Sequence, residues 1–225
     1  MASFDWRIVS VDALERYDET VLGYQAWRQL VAMLREFLQS DQPDPFLAAF
    51  DEFLRQIQQI ESAPAACRLF VSHQRADVPH AERIAYLATR QGFEYWLDVH
   101  DPLLQLANRT ALPPVVQSIL IAGIIEMALL NCSHGVTVQT AAAQHSRWVP
   151  YEFGRAKRRW LVSSQVASWF DQGIYAASTA DYLKLGVCAQ GEADVVRWLA
   201  SEGSRCRCPI VPAIWRGGPV VPLPN

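Results

Sequence analysis

The fold is decided by residues 68–98, RLFVSHQRADVPHAERIAYLATRQGFEYWLD. The apolar run at 68–72 suits a buried strand, and the following segment, 80–91, predicts a helix that Gly92 ends. Residues 93–98 then predict a second strand. A strand, a helix and a second strand in this order indicate a parallel pair joined by a crossover helix.

The same alternation continues towards the C-terminus. The further predicted elements are a helix at 115–130, a strand at 135–139, a helix at 149–160, a strand at 166–170, a helix at 192–201 and a last strand at 209–215. Strands that alternate with helices in this way predict an α/β fold with a parallel sheet of about five strands.

The region before this alternation differs in composition. Residues 1–63 hold 5 Lys+Arg against 11 Asp+Glu, whereas the remainder holds 15 against 12. Apolar residues recur at helical spacing over 21–38 and again over 46–60, with a break at 40–45. The sequence therefore predicts an N-terminal helical hairpin at 1–64 and an α/β domain at 65–225.

Composition and charge narrow the class of protein. Hydrophobic residues make up 51% and charged residues 19% of the 225 residues, which is enough for a folded core. The net charge of −3 gives no basic field for nucleic acid. The N-terminus lacks the pattern of a signal peptide, and the five cysteines are an odd, scattered set. We therefore expect a cytoplasmic protein.

One apolar run, residues 111–130, approaches the length of a membrane span. Pro113 and Pro114 interrupt its start, and no cluster of Lys or Arg follows its end. We expect a buried or partner-facing helix and no membrane partner.

Several signatures of catalytic or metal sites are missing from the sequence. It contains no Gly-x-x-x-x-Gly-Lys phosphate loop, no Gly-x-Gly-x-x-Gly, no His-Glu-x-x-His and no Gly-x-Ser-x-Gly. Cys206-Arg-Cys208 has a spacing that is poor for zinc. We expect no metal site.

The remaining candidates follow the predicted strands. Ligands of doubly wound sheets bind beyond the carboxyl ends of the strands, which here places residues 72–77, 98–101 and 140–146 at one edge. Pro150 fixes the start of the next helix, so Glu152 lies near its N-terminus, where the helix dipole favours an ionised carboxylate. Trp148 lies four residues earlier on the same face. The competing interpretation gives this pair no functional role: Glu152 caps its helix, and Trp148 is a core residue.

Three blocks carry a resemblance to a known family. They are Leu69-Phe-Val-Ser-His73 with Asp77, Gly92-Phe-Glu-Tyr-Trp-Leu-Asp98, and Ser146-Arg-Trp-Val-Pro-Tyr-Glu-Phe-Gly-Arg-Ala-Lys157. Together they resemble a bacterial Toll/interleukin-1 receptor (TIR) domain. The resemblance implies a flavodoxin-like fold and, as in many bacterial members, cleavage of the nicotinamide–ribose bond of NAD.

The family's Trp-x-x-x-Glu motif maps onto Trp148 and Glu152, which makes Glu152 the expected catalytic residue. The resemblance further implies a nucleotide cleft lined by Ser72, His73, Arg75, Trp96, Asp98 and Trp148. Arg75 suits a pyrophosphate, although a solvated loop arginine is equally common. NAD is then the substrate, no other cofactor is expected, and the product is ADP-ribose, a cyclic isomer or a conjugate. Many such proteins act in antiphage defence, as in Thoeris systems.

Other functions stay open at this stage. A non-catalytic TIR scaffold acts through self-assembly or partner binding, and the acidic hairpin and the helix at 115–130 suit a homo-oligomer or an effector protein. A nucleoside deoxyribosyltransferase-like enzyme shares the sheet but does not explain the block at 147–152. A phosphate-accepting receiver domain needs an aspartate where the third strand ends in Thr140-Ala-Ala-Ala. The basic run 155–159 reads as a solvated helix end rather than a phosphate site.

Overall fold

A computed structural model describes residues 67–109, 114–157, 164–174, 180–206, 215 and 217–224. Its strands and helices are β1 (Arg68–Ser72), α1 (Val78–Arg90), β2 (Glu94–Trp96), α2 (Pro102–Arg109), α3 (Pro114–Asn131), β3 (His134–Gln139), α4 (Trp148–Lys157), β4 (Val166–Phe170), β5 (Val187–Gln190) and α5 (Glu192–Arg205). The predicted helical hairpin and the predicted domain boundary near residue 64 lie outside the described residues.

The strands form one parallel sheet in the order β2-β1-β3-β4-β5. This is the strand order of a flavodoxin-like fold. The chain places β2 on one side of β1 and β3 on the other, so the strand order reverses between β1 and β3 while all strands stay parallel. The α/β fold with about five parallel strands is therefore confirmed.

The two faces of the sheet bury different side chains. Leu69, Val71 and Trp169 belong to a large apolar core on the face that α1 and α5 cover. On the opposite face, Phe153 of α4 packs with Val166 and Phe170 of β4. Because side chains alternate along a strand, Ser72 and Thr137 also fall on the α4 side.

Contact density divides the described chain into two compact units. The sheet unit comprises the described residues within 67–100 and 132–224, and the second unit includes the described residues within 101–131. In the second unit, Pro102 opens α2 and the Asp101 carboxylate accepts a hydrogen bond from Leu104 N at 2.9 Å. The sequence analysis predicts no helix between 98 and 115, but Asp followed by Pro is a helix start, with the cap and the first helical residue in place.

Helix α3 forms where the sequence predicts it. Within the described parts of the chain, no helix has both the length and the apolar character that crossing a bilayer requires.

The fifth strand differs from the sequence prediction. It is Val187–Gln190, whereas Trp215 is the only described residue of the predicted strand at 209–215 and lies outside any strand. Edge strand β5 has just one buried residue, Ala189, so its sequence lacks the apolar run that marks a central strand. Gly191, with φ of 85°, ends the strand by a turn that favours glycine.

The cysteines include one that the sequence does not single out. Cys67 is disulfide-bonded. Disulfides are uncommon in a reducing compartment. This bond therefore does not support the cytoplasmic location that the odd, scattered cysteines suggested.

Candidate functional site

The candidate site lies where β1 and β3 end, at the point where the strand order reverses. Ser72 is the last residue of β1, and the chain after β3 leads through a short turn into α4. Neighbouring crossovers leave on opposite faces at such a point, which opens a crevice at the carboxyl edge of the sheet.

Helix α4 brings Glu152 to this edge of the sheet. The helix begins at Trp148, and the Ser146 hydroxyl accepts hydrogen bonds from the backbone N–H groups of Trp148 and Val149, each at 3.2 Å. This cap satisfies two N–H groups that have no partner within the helix. The start within two residues of Pro150, as the sequence predicts, is confirmed.

Glu152 is buried and held by one hydrogen bond. Its residue is 7% exposed, and the Ser72 hydroxyl donates to Oε2 of its carboxylate. Glu152 and Ser72 are 80 residues apart in sequence, so the bond ties α4 to the end of β1. The structure thus brings together two of the predicted site residues.

Burial raises the pKa of Glu152 to about 7. The hydrogen bond from Ser72 acts in the opposite direction and lowers this pKa, while the negative charge of Asp98 raises it. The sequence predicts that the helix N-terminus favours the ionised carboxylate, but burial raises the pKa of Glu152 in this structure. Glu152 is the fifth residue of α4, beyond the first turn where the dipole acts, and desolvation dominates.

His73 and Asp98 meet beside this carboxylate. The Nε2 atom of the buried His73 side chain lies 3.3 Å from Oδ1 of Asp98, without the alignment of a hydrogen bond. Asp98 also accepts a hydrogen bond from Val99 N at 2.6 Å, and its side chain is partly exposed. The loops after β1 and β2 are therefore adjacent, as the sequence predicts.

The remaining predicted residues divide between surface and core. Arg75 lies in a short turn of 3-10 helix and is exposed, which leaves its guanidinium accessible to an anion. Trp148 is 40% exposed and packs edge-on against Tyr151, so it is not a core residue. Trp96 is 1% exposed and stacks on Phe70 with ring centres 4.7 Å apart. The prediction that Trp96 lines a cleft is wrong in this structure, because its ring faces are covered.

Two polar contacts near the site were not predicted from sequence. The Thr140 hydroxyl donates to the buried Asp77 carboxylate at 2.8 Å and joins the loops after β3 and β1. Thr137 and Ser168 share a hydrogen bond at 2.9 Å, and Thr137 lies opposite Ser72 in the sheet register. A Thr or Ser between two apolar residues of a buried strand, as in Val136-Thr-Val138, is the signal that indicates such contacts.

The basic run at the end of α4 is only partly solvated. Arg158 and Arg159 lie outside the described residues, and Lys157 is buried. Its Nζ atom donates a hydrogen bond to the carbonyl of Leu185, and burial lowers its pKa. The interpretation of this segment as a solvated helix end is therefore wrong for Lys157.

The described residues contain no group of three or more His, Cys, Asp or Glu side chains that could hold a metal ion. A search among protein-family models, curated proteins and solved structures found nothing that matches this chain.

Proposed function

We propose that this protein cleaves NAD at the nicotinamide–ribose bond, with Glu152 as the catalytic residue. The observation that carries the proposal is a buried carboxyl group at the point where the strand order reverses, bonded to Ser72 and with a pKa near 7. Buried acids with strongly shifted pKa values in a crevice are candidates for catalytic residues.

Cleavage of the nicotinamide–ribose bond requires from the protein mainly a correctly placed negative charge. Nicotinamide leaves with the electron pair of the glycosidic bond and becomes neutral, so no acid has to protonate it. Water then adds to C1 of the ribose and releases a proton, which gives ADP-ribose. An ionised carboxylate stabilises the positive ribose in the transition state and accepts hydrogen bonds from its hydroxyls.

The raised pKa of Glu152 fits this role because the substrate carries a positive nicotinamide ring. A positive charge that enters beside the carboxyl group favours its ionised form. The carboxylate is therefore costly to keep ionised in the empty site and becomes favourable when substrate binds. The attraction between the carboxylate and the positive charge lowers the barrier to bond cleavage to the extent that it is stronger in the transition state than in the bound substrate.

Three other side chains suit the rest of a dinucleotide. Arg75 is exposed and presents a planar fork of N–H groups that matches pyrophosphate oxygens. Trp148 and Tyr151 offer exposed ring surface at the start of α4. The negative charge of Asp98 raises the pKa of Glu152, and Nε2 of His73 lies 3.3 Å from Oδ1 of Asp98.

The test is nicotinamide release from NAD by the full chain at pH 8, at low and high protein concentration. We expect release that Glu152→Gln abolishes while the fold is retained. Asp181→Asn makes the same change of charge at an exposed position and is expected to leave release intact. Release that survives in Glu152→Gln would refute the proposal.

The second candidate function is a non-catalytic scaffold. Exposed Trp148 and Tyr151, side by side on α4, favour it because exposed aromatic pairs are typical of interaction surfaces. The resemblance to bacterial TIR domains adds antiphage signalling through a homo-oligomer or an effector protein to either candidate. Concentration-dependent oligomers without nicotinamide release at any concentration would select the scaffold.

A further inference from the structure

A thiol, an imidazole and a carboxylate meet at the amino edge of the sheet, opposite the edge that carries Glu152. His134 is the first residue of β3, Glu202 lies in the last turn of α5, and Cys206 directly follows that helix. Nε2 of His134 lies 3.4 Å from Oε2 of Glu202 and 3.6 Å from Sγ of Cys206. The proposed cleavage of NAD uses none of these three side chains.

The hydrogen bonds of Ser133 determine which nitrogen of His134 carries the proton. The Ser133 hydroxyl donates to the carbonyl of Arg68 at 3.2 Å and accepts a hydrogen bond from Arg68 N at 3.0 Å. Because its single proton is then used, the 2.8 Å contact between Oγ of Ser133 and Nδ1 of His134 requires a proton on Nδ1. In the neutral ring Nε2 is therefore the basic nitrogen, and it is the nitrogen beside Cys206.

The charges around His134 favour a second proton, on Nε2. The Glu202 side chain is buried, and Oε1 of its carboxylate pairs with Arg205 at 3.0 Å, which leaves Oε2 facing Nε2. A lone pair on Nε2 repels this oxygen, whereas an N–H group attracts it. When Nε2 takes the proton of Cys206, the imidazolium lies beside both the carboxylate and the thiolate, an arrangement that stabilises a thiolate. The C-terminal dipole of α5 acts against a thiolate, but it is only a partial charge.

Two further thiols among the described residues allow a comparison. Cys132 is buried, whereas Cys188 is exposed. Desolvation raises the pKa of the Cys188 thiol, although Lys184 acts in the opposite direction. Cys206 is intermediate in exposure, so a small reagent can reach it. Since the thiolate is the reactive form, we expect Cys206 to react faster than the more exposed Cys188.

We infer that Cys206 is a site of oxidation by peroxides, with His134 moving the proton. The thiol proton passes to Nε2 of His134, and the thiolate sulfur attacks one oxygen of the peroxide. An S–O bond forms as the O–O bond breaks, which gives a sulfenic acid. The leaving oxygen takes the proton from Nε2 and departs as water or an alcohol. The sulfur loses two electrons and the peroxide gains them, so the step needs no other reactant.

The first test compares thiols within one unaltered molecule. The full chain is treated with limiting iodoacetamide, without reductant so that the Cys67 disulfide stays intact, and mass spectrometry measures the alkylation rate of each thiol. At pH 6.5 only about 1% of an ordinary thiol is ionised, so we expect Cys206 to react at least about tenfold faster than Cys188. The ratio should shrink towards pH 9.5, where ordinary thiols ionise as well. Equal rates at pH 6.5, or a faster Cys188, would overturn the inference.

His134→Asn tests the proton acceptor. The Asn amide can still donate to Ser133 but has no counterpart of Nε2. The pH profile of Cys206 alkylation should therefore move to that of an ordinary thiol, while the profile of Cys188 stays in place. An unchanged profile of Cys206 would refute the role of His134. If this variant does not fold, the comparison within the unaltered protein still decides between the outcomes.

His100→Asn is the matched control for a general loosening of the fold. It makes the same change at a histidine whose ring nitrogens bond to Tyr95 and Glu82, at 3.1 Å each. We expect the profile of Cys206 to stay unchanged in this variant. A shift as large as that in His134→Asn would show that the effect is not specific to the neighbour of Cys206, and it would count against the inference.

Peroxide itself supplies the last measurement. An excess of hydrogen peroxide is added at pH 6.5 together with a cyclic 1,3-diketone, which traps sulfenic acids. We expect about tenfold more trapped label at Cys206 than at Cys188 or Cys132. Label that favours Cys188, or no label at any thiol, would refute oxidation at this site. Neither result depends on turnover of NAD.

Discussion

At the scale of single residues, burial is the main cause that raises the pKa of Glu152, and two neighbours modify it in opposite directions. The hydrogen bond from Ser72 lowers its pKa, and the negative charge of Asp98 raises it. The proposed reaction needs the ionised carboxylate. We therefore expect kcat/KM for nicotinamide release to rise with pH, with an apparent pKa of about 7 in the unaltered protein.

Substitution of the two neighbours should move this pH profile in opposite directions. Ser72→Ala removes a bond that favours the ionised form, so the rise should shift to higher pH. Asp98→Asn removes a negative charge, so the rise should shift to lower pH. Profiles of kcat/KM between pH 5 and 9 check both variants. A shift of both profiles in the same direction would contradict this account of the site.

The positions of Glu152, Ser72, His73 and Asp98 were predictable from sequence, whereas the state of Glu152 was not. Strand ends and a proline at a helix start fix where side chains lie along the chain. The pKa depends on burial, which arises from contacts between segments 80 residues apart. The prediction that Trp96 lines a cleft was wrong for a related reason. Strand β2 is only three residues long, and its side chains enter the core.

At the scale of elements, the position of Glu152 depends on how closely α4 approaches β3. A Cβ atom at Gly135 would lie 2.8 Å from Cβ of Ala156 in α4. We expect Gly135→Ala to push the helix from the sheet and to lower the free energy of unfolding by about 1–3 kcal/mol. Nicotinamide release should fall as well, because the shift displaces Glu152 from Ser72.

Gly154→Ala is the matched control on the same helix. A Cβ atom at Gly154 would have no neighbour within 4 Å. Alanine in a helix interior is more favourable than glycine, so this variant should gain about 0.5–1 kcal/mol. Urea unfolding curves of both variants check the pair. Equal effects on stability would show that contact between α4 and β3 is not the cause.

The elements themselves were predicted with uneven success, for identifiable reasons. Central strands β1 and β3 are largely buried, and each carries apolar residues that mark it in the sequence, Leu69-Phe-Val71 in β1 and Val136 and Val138 in β3. Edge strand β5 has one buried residue and carries little such signal. Helix α2 was missed because its start depends on the short pattern Asp101-Pro102 rather than on periodicity.

At the scale of the whole molecule, Glu152 should make the sheet unit less stable as pH rises. Its pKa is raised from 4.5 to about 7 in the folded state, so the folded chain holds a proton that the unfolded chain releases between these values. Stability therefore falls with rising pH across this window. The loss above pH 7 is about 3 kcal/mol at most, because each tenfold change in proton affinity corresponds to about 1.4 kcal/mol.

Glu152→Gln tests this loss directly. The amide is neutral at every pH and can still accept the hydrogen bond from Ser72. We expect the variant to match the unaltered protein at pH 4.5 and to be more stable at pH 8. Melting temperatures at the two pH values check the prediction, and a variant that is less stable at pH 8 would contradict it. Greater stability with lost activity is the usual mark of a functional residue.

Glu192, on the opposite face of the sheet, should give folding stability the opposite dependence on pH. Its carboxylate accepts a fork of hydrogen bonds from Arg83 of α1, at 2.8 and 2.5 Å, and a further one from Leu223 N at 3.1 Å. The bond from Arg83 is the main cause that lowers the pKa of Glu192. A lowered pKa gives stability that is present above the ordinary value of 4.5 and lost as pH falls through the folded-state value.

We therefore expect Glu192→Gln to lower the free energy of unfolding at pH 7 by about 1.5–3 kcal/mol, the range for hydrogen bonds to a charged group. The difference from the unaltered protein should shrink as pH falls below 4.5, because protonation weakens the same fork in the parent. Asp181→Asn, which breaks an exposed pair with Lys184, should have no measurable effect. Denaturation curves at several pH values check all three proteins. At neutral pH we expect Glu192→Gln to lower the free energy of unfolding and Glu152→Gln to raise it. Opposite signs would show that the Glu192 carboxylate stabilises the fold, whereas the Glu152 carboxylate is kept at a cost in stability, as expected for a catalytic group.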